Sequence, residues 1–229
     1  VMVWKPSSKT PLTAVAIQKI VNDVLEPLEW NGVMSLLVGS SRDVGELLIH
    51  DRRVPLVSAT GSCNMGRKVG EAVAKRLGRS LLELGGNNGI IAMDDADPGL
   101  VLRGVLFGAV GTAGQRCTST RRLFLHRDIA NDITGQLVKA YGQVKIGDPL
   151  DPATLMGPMV PGSAVETYST ALETIKEQGG EVLCGGNVLD QPGHYVEPTI
   201  VKAKPGMEIV RDETFAPILY LFEFDTLDE

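Results

Sequence analysis

The sequence predicts an α/β protein, a parallel sheet with crossover helices followed by a second α/β domain. Three observations carry this expectation. Short apolar runs alternate with amphipathic helical periods; the early runs each end in a glycine, at Gly39, Gly61 and Gly85; and the alternation restarts after Gly86. Parallel strands need crossover connections, and the ligands of such sheets sit beyond the carboxyl ends of the strands, where these glycines fall. The expected division is residues 1–85 and residues 86–229.

The elements follow in order. Val1 to Trp4 reads as the end of a strand. Thr10-Pro11 offers an N-cap and a proline at the first helical position, where its missing N–H costs nothing. Leu12, Val15, Ala16, Ile20 and Val24 recur at helical spacing until Pro27. Met34 to Val38 and Val54 to Ala59 are strands. Met65, Val69, Ala72, Val73 and Leu77 mark a second amphipathic helix, with Gly78 as its C-terminal cap. Leu81 to Leu84 is a strand again. The second domain is expected to run strand Ile90–Met93, helix Leu100–Ala113, strand Arg122–His126 and helix Ile129–Val144. A helix from Ala164 to Gln178 and strands at Val182–Cys184, Tyr195–Val201 and Ile218–Phe224 complete it.

Composition narrows the function. With 229 residues and 43% hydrophobic content, the chain can bury a core in one large or two modest domains. A net charge of −6 without a Lys/Arg cluster argues against nucleic acid as partner. No apolar run approaches the roughly 18 residues that span a bilayer, so no membrane association is expected. Cys63, Cys117 and Cys184 are an odd, widely spaced set without a CxxC pair. That suggests neither a disulfide framework nor a metal site, and points to a reducing, cytoplasmic location. The chain begins at Val1 as if its first strand were already under way, the mark of a piece of something longer.

The chemistry concentrates in two stretches. In GTAGQRCTST, residues 111 to 120, Cys117 is either a small buried filler or a nucleophile in a loop stripped of bulk. Thirty-four residues earlier, Glu83 ends the strand run LLEL. It is either a solvated strand-end acid or, partly buried in a ligand crevice, a general base of raised pKa.

LLELGGNN followed by GTAGQRC resembles the two signature segments of the aldehyde dehydrogenase superfamily. WKP at 4 to 6, TGS at 60 to 62, IGDP at 146 to 149, EPTI at 197 to 200 and ETFAPI at 213 to 218 match family segments in family order. The resemblance implies an aldehyde dehydrogenase-like fold, with a partial Rossmann-type dinucleotide-binding domain at 1–85 and a partial catalytic domain at 86–229. It makes Cys117 the nucleophile that forms a thioester and Glu83 the base that activates water, with no metal required. It puts Lys5 on the adenine ribose, with Pro6 and Ser8 beside it. Gly39, Gly45, Gly61, Ser62, Met65, Gly66 and Leu84 would surround the dinucleotide, Ser62 opening a helix whose N-terminus faces the pyrophosphate. Glu213 and Phe215 would meet the nicotinamide ribose and ring. The cofactor is NAD, with NADP open, because Ser8 neither repels nor strongly binds a 2′-phosphate. Gly162-Ser163 departs from the Lys-Gln pair that many relatives carry near the adenine ribose.

GGNN, GQRC, RRLF at 121 to 124 and YVEPTIV narrow the resemblance to the antiquitin-like branch, which oxidises α-aminoadipic semialdehyde in lysine breakdown. Arg116 would then bind the substrate carboxylate, with Thr118 in the same pocket; the alternative is that Arg116 pairs with an internal acid. The partner is a small-molecule aldehyde, and the full-length parent is expected to be a homo-oligomer. Two rival readings stand beside this one. The chain lacks the family's N-terminal and C-terminal segments, so it is alternatively a folded but inactive assembly or binding module. A cysteine hydrolase would need His50, His126 or His194 as base.

Overall fold

The computed structural model describes residues 1–229 and contains nine strands and six α-helices. The chain divides into two units, Val1–Leu84 and Gly85–Glu229.

In the first unit, β1 (Met2–Trp4) pairs in parallel with β2 (Met34–Leu36) through the crossover helix α1 (Pro11–Leu25). After β2, a π-type turn at Ser41–Gly45 runs into the short helix α2 (Glu46–His50), which sequence periodicity did not mark. Then β3 (Leu56–Thr60) pairs in parallel with β4 (Arg79–Glu83) through α3 (Cys63–Lys75). The two ribbons share no rung, so the parallel sheet expected here exists as two strand pairs.

Pro11 opens α1 as its sequence predicts, but Thr10 gives no side-chain cap. The apolar positions of α1 are not packed: Leu12 is 83%, Ile20 63% and Val24 60% exposed, and Ala14 alone is buried. Geometry explains this. Strands of three residues offer about 10 Å of sheet, whereas a helix of fifteen residues is about 22 Å long. By contrast, α3 buries Gly66, Val69 and Val73 on one stripe. Its C-terminus differs from expectation. Leu77, not Gly78, takes the left-handed conformation (φ 60°), and Gly78 N–H reaches back to Val73 O at 3.0 Å. This is a Schellman arrangement with leucine at the left-handed position.

The second unit holds a five-stranded sheet in the order β5 (Asn88–Ala92), β6 (Thr120–His126), β9 (Ile218–Phe224), β8 (Thr199–Lys202), β7 (Glu181–Cys184). All neighbours are parallel except β7 with β8, an antiparallel edge. Leu123 and Leu125 of β6 and Leu219 and Leu221 of β9 form its centre. They join Val105 and Ala109 of α4 (Pro98–Val110), Ile133 and Leu137 of α5 (Arg127–Tyr141), and Leu172 and Ile175 of α6 (Gly162–Glu177) in one core. Each such leucine stabilises the fold by about 1.5–3 kcal/mol relative to exposure. The sheet therefore gives a firm base to whatever enters or leaves β6 at its first residue.

Burial raises the pKa of three tyrosines in this core, Tyr141, Tyr168 (to about 12) and Tyr220, above the ordinary value of 10.0. Between pH 10 and 12 the unfolded chain therefore releases phenolic protons that the native state still holds, and stability falls as pH rises. Urea midpoints measured across this window should decline steadily. A flat profile would contradict the burial of these hydroxyls.

Candidate functional site

The residues singled out in the first unit gather in two places. Lys5 Nζ donates to the Pro6 carbonyl at 2.7 Å and the Gly39 carbonyl at 3.2 Å, and Gly45 lies along its stem, where a Cβ would come within 3.7 Å of Lys5 Cε. Two of three ammonium hydrogens are thus engaged, leaving one for a ligand. Ser8 stands apart from this group, exposed in the turn before α1.

The second gathering is at the start of α3. Ser62 is its N-cap, Oγ accepting from Met65 N at 3.2 Å, while Gly61 N–H binds the Glu83 carbonyl at 3.0 Å. The N–H groups of Cys63 and Asn64 make no backbone hydrogen bond, so the helix offers free donors and positive partial charge to an anion. Side chains of Met65 and Leu84 fill the spaces that a Cβ at Gly61 and at Gly66 would occupy. This donor set fits a phosphate group. Glu83 closes β4 with its side chain exposed, the solvated of the two alternatives, on a strand paired on one side alone.

In the second unit, α4 stops at Val110, short of the expected Ala113, because Thr112 (φ 57°), Ala113 (φ 51°) and Gly114 (φ 67°) are left-handed in succession. Each non-glycine residue there costs about 1–2 kcal/mol. At Gly114 the constraint is double, since a Cβ would also run into the Ala216 carbonyl. The strained turn is held by side chains. Gln115 Nε2 donates to the Thr112 carbonyl at 3.2 Å and the Pro158 carbonyl at 3.3 Å, and its Oε1 accepts from Val160 N at 2.9 Å. Asn88 Nδ2 donates to the carbonyls of Cys117 (2.8 Å) and Ser119 (3.0 Å).

Cys117 therefore has a fixed backbone and an exposed side chain, and its N–H makes no backbone hydrogen bond. The buried-filler alternative is excluded for this chain. Thr118, beside it, is exposed too. Arg116 forms no ion pair. Its Nη2 donates to the Phe107 carbonyl at 2.9 Å, and its Cζ lies 4.9 Å from the Phe107 ring centroid, against a face that is 72% exposed. Of the histidines in this unit, His126 caps α5 at the far end of β6, about 20 Å along the strand from its first residue, and His194 makes no hydrogen bond to Cys117.

Three further residues escaped the sequence reading as site-builders: Asn88, Gln115 and Arg121. Arg121 is 2% exposed. Its Nη1 donates to the Ala216 carbonyl at 2.8 Å, its Nη2 to the Arg116 carbonyl at 3.2 Å, and the same Nη2 lies 3.5 Å from Glu213 Oε1. Phe215, 44% exposed, has its ring centroid 5.4 Å from Arg121 Cζ. Burial lowers the Arg121 pKa and the Glu213 charge opposes that shift. Glu213 Oε1 also accepts from Gly86 N at 3.3 Å. Glu213, Phe215 and the loop bearing Arg116 and Cys117 are thereby brought together. The missed signal was parity: Arg121 shares a strand face with Leu123 and Leu125, so its charge must be buried and must find partners.

The left-handed turn predicts opposite responses to two substitutions. Gly114→Ala should lower unfolding free energy by about 2 kcal/mol or more, from strain and the clash with residue 216. Thr112→Gly, at an exposed left-handed position, should leave stability unchanged or raise it by about 0.5 kcal/mol. Urea denaturation measures both, and equal losses would contradict the turn geometry.

Comparison with known proteins gives the family of the whole chain. The aldehyde dehydrogenase family model matches residues 1–229. The chain is 50% identical over 230 residues to an alpha-aminoadipic semialdehyde dehydrogenase of Mus musculus, covering 100% of this chain and 43% of that protein. It is 45% identical over 228 residues to aldehyde dehydrogenase family 7 member A1 of Malus domestica, covering 100% of this chain and 45% of that protein. The crystal structure of betaine aldehyde dehydrogenase from Staphylococcus aureus in complex with NAD+ superimposes with a TM-score of 0.94 at 30% identity, over 99% of this chain and 45% of that one. The chain spans less than half the length of these relatives. With the family model matching from first residue to last, and with a solvent-open cysteine on a locked loop, the chain belongs to the aldehyde dehydrogenase family.

Proposed function

We propose that this chain carries the reacting groups of a dinucleotide-dependent aldehyde dehydrogenase that oxidises an amino-acid semialdehyde, of the α-aminoadipic type, to its acid. The observation that carries this reading is Cys117, exposed on a backbone that Asn88 and the left-handed turn hold in place. The Cys117 thiolate adds to the aldehyde carbon, and its own N–H stabilises the developing oxyanion. NAD, or NADP, when bound at Lys5, the α3 N-terminus and the Glu213–Phe215 segment, supplies the hydride acceptor. Loss of hydride from the adduct leaves a thioester on Cys117. Glu83 then takes a proton from water, the hydroxide attacks the thioester, and the acid departs. Arg116, its guanidinium oriented by Phe107 and free of any acid, binds the substrate carboxylate and so places the distant aldehyde, with Thr118 alongside. The mouse relative's name supports this substrate class, and with it a place in lysine breakdown. Unpaired cysteines support a reducing, cytoplasmic setting, and a homo-oligomeric parent follows from the family resemblance.

A second reading draws on the uncovered apolar face of α1, with Leu12 at 83% exposure. In it, the chain by itself is a folded assembly module that turns over nothing.

Semialdehyde oxidation with each dinucleotide, by this chain and by its full-length parent, separates the two readings. In the parent, Cys117→Ala should abolish turnover. Glu83→Gln should keep the first release of reduced dinucleotide but slow steady-state turnover by about 10²–10⁴-fold. Arg116→Ala should raise the semialdehyde KM about tenfold or more while sparing an uncharged aldehyde. Equal effects on both aldehydes would remove Arg116 from substrate recognition.

A further inference from the structure

We propose that Arg121 is a positioning residue that couples the dinucleotide-contacting segment to the nucleophile loop. The inference rests on the functional reading above but draws on separate observations. One planar guanidinium donates to the carbonyl just before Cys117, that of Arg116, and to the Ala216 carbonyl, while pairing with Glu213 and facing the Phe215 ring. These partners come from two segments about a hundred residues apart, and both depend on the same side chain for their spacing. The site is nearly closed to water, with Arg121 at 2% and the Glu213 side chain at 19% exposure, so solvent cannot stand in for a lost partner. Gly114 sits against Ala216 without room for a Cβ, so a shift of Ala216 is transmitted directly to the loop. A lysine in place of Arg121 keeps the charge for Glu213 but lacks the fork that reaches two carbonyls at once.

The test uses the full-length parent, with active sites counted by titration so that partial unfolding does not enter. Arg121→Gln should raise the dinucleotide KM about tenfold and lower kcat about a hundredfold, the scale of a 1 Å displacement of reacting groups. Arg121→Lys should restore the dinucleotide KM to within about threefold of wild type yet leave kcat reduced about tenfold, because the ammonium still pairs with Glu213 but holds one carbonyl at most. The alkylation rate of Cys117 by iodoacetamide, with every other cysteine of the parent, Cys63 and Cys184 among them, replaced by serine, needs no turnover, and in Arg121→Gln it should differ from the same background with Arg121 by about fivefold or more. If the wild-type parent shows no dinucleotide-linked oxidation, the functional reading fails, and the alkylation rate alone decides the role of Arg121. An unchanged alkylation rate in Arg121→Gln overturns the proposal. So does an Arg121→Lys enzyme equal to wild type in both kcat and dinucleotide KM, a result that stays decisive if the glutamine variant does not fold.

Discussion

The contact between Arg121 and Glu213 is the constraint around which the candidate site in the second unit is arranged. A cation so deeply buried is tolerated only if its desolvation is offset, and here a carboxylate, two carbonyls and an aromatic face share that task. The consequence is geometric more than energetic. The partners of Arg121 lie on two segments outside helix and strand, the loop after the left-handed turn and the 213–217 stretch that precedes β9, so the guanidinium ties them to each other while Asn88 and Gln115 hold the loop from its other sides. One buried charge is therefore shared by two segments that no strand pairing joins.

Strain and support are distributed in a matching way. Thr112 and Ala113 hold conformations that L-residues avoid, which persists because Gln115, Asn88 and the close approach of Gly114 to residue 216 over-determine the turn. Beneath them, the sheet of the second unit is anchored by α4, α5 and α6 through a single continuous core. The first unit is built otherwise. Its helix α3 is packed, but α1 leaves most of its apolar side chains in water, and its two strand pairs do not join.

Much of this was legible beforehand, for identifiable reasons. Apolar runs ending at Gly39, Gly61 and Gly85 marked the strands of the first unit because parallel strands leave a dense local signature, and Pro11 marked a helix start because proline fits the first turn. Periodicity also marks Val69 and Val73 of α3, which are buried, but it includes Leu77, which lies past the helix and is 95% exposed. It failed for α1, since an apolar stripe says which face would pack without saying whether enough sheet is present to receive it. It misjudged the end of α4, because nothing in Thr112-Ala113 announces left-handed backbone, which tertiary contacts impose. Propensity favours Gly78 as the C-terminal cap of α3, but Leu77 takes the left-handed position. Arg121 was hidden in plain view as part of a subfamily signature, although strand parity alone placed its charge beside Leu123 and Leu125.

The exposure of Cys117 has a chemical corollary. A thiol open to solvent is open to peroxide as well, and its oxidation to sulfenic acid would change the sulfur without requiring the Asn88 bond to the Cys117 carbonyl to break. Its neighbours in sequence, Arg116 and Thr118, offer no thiol that could close a disulfide in its place. Oxidation at this position would therefore alter one exposed sulfur while the packed core beneath it stays as it is.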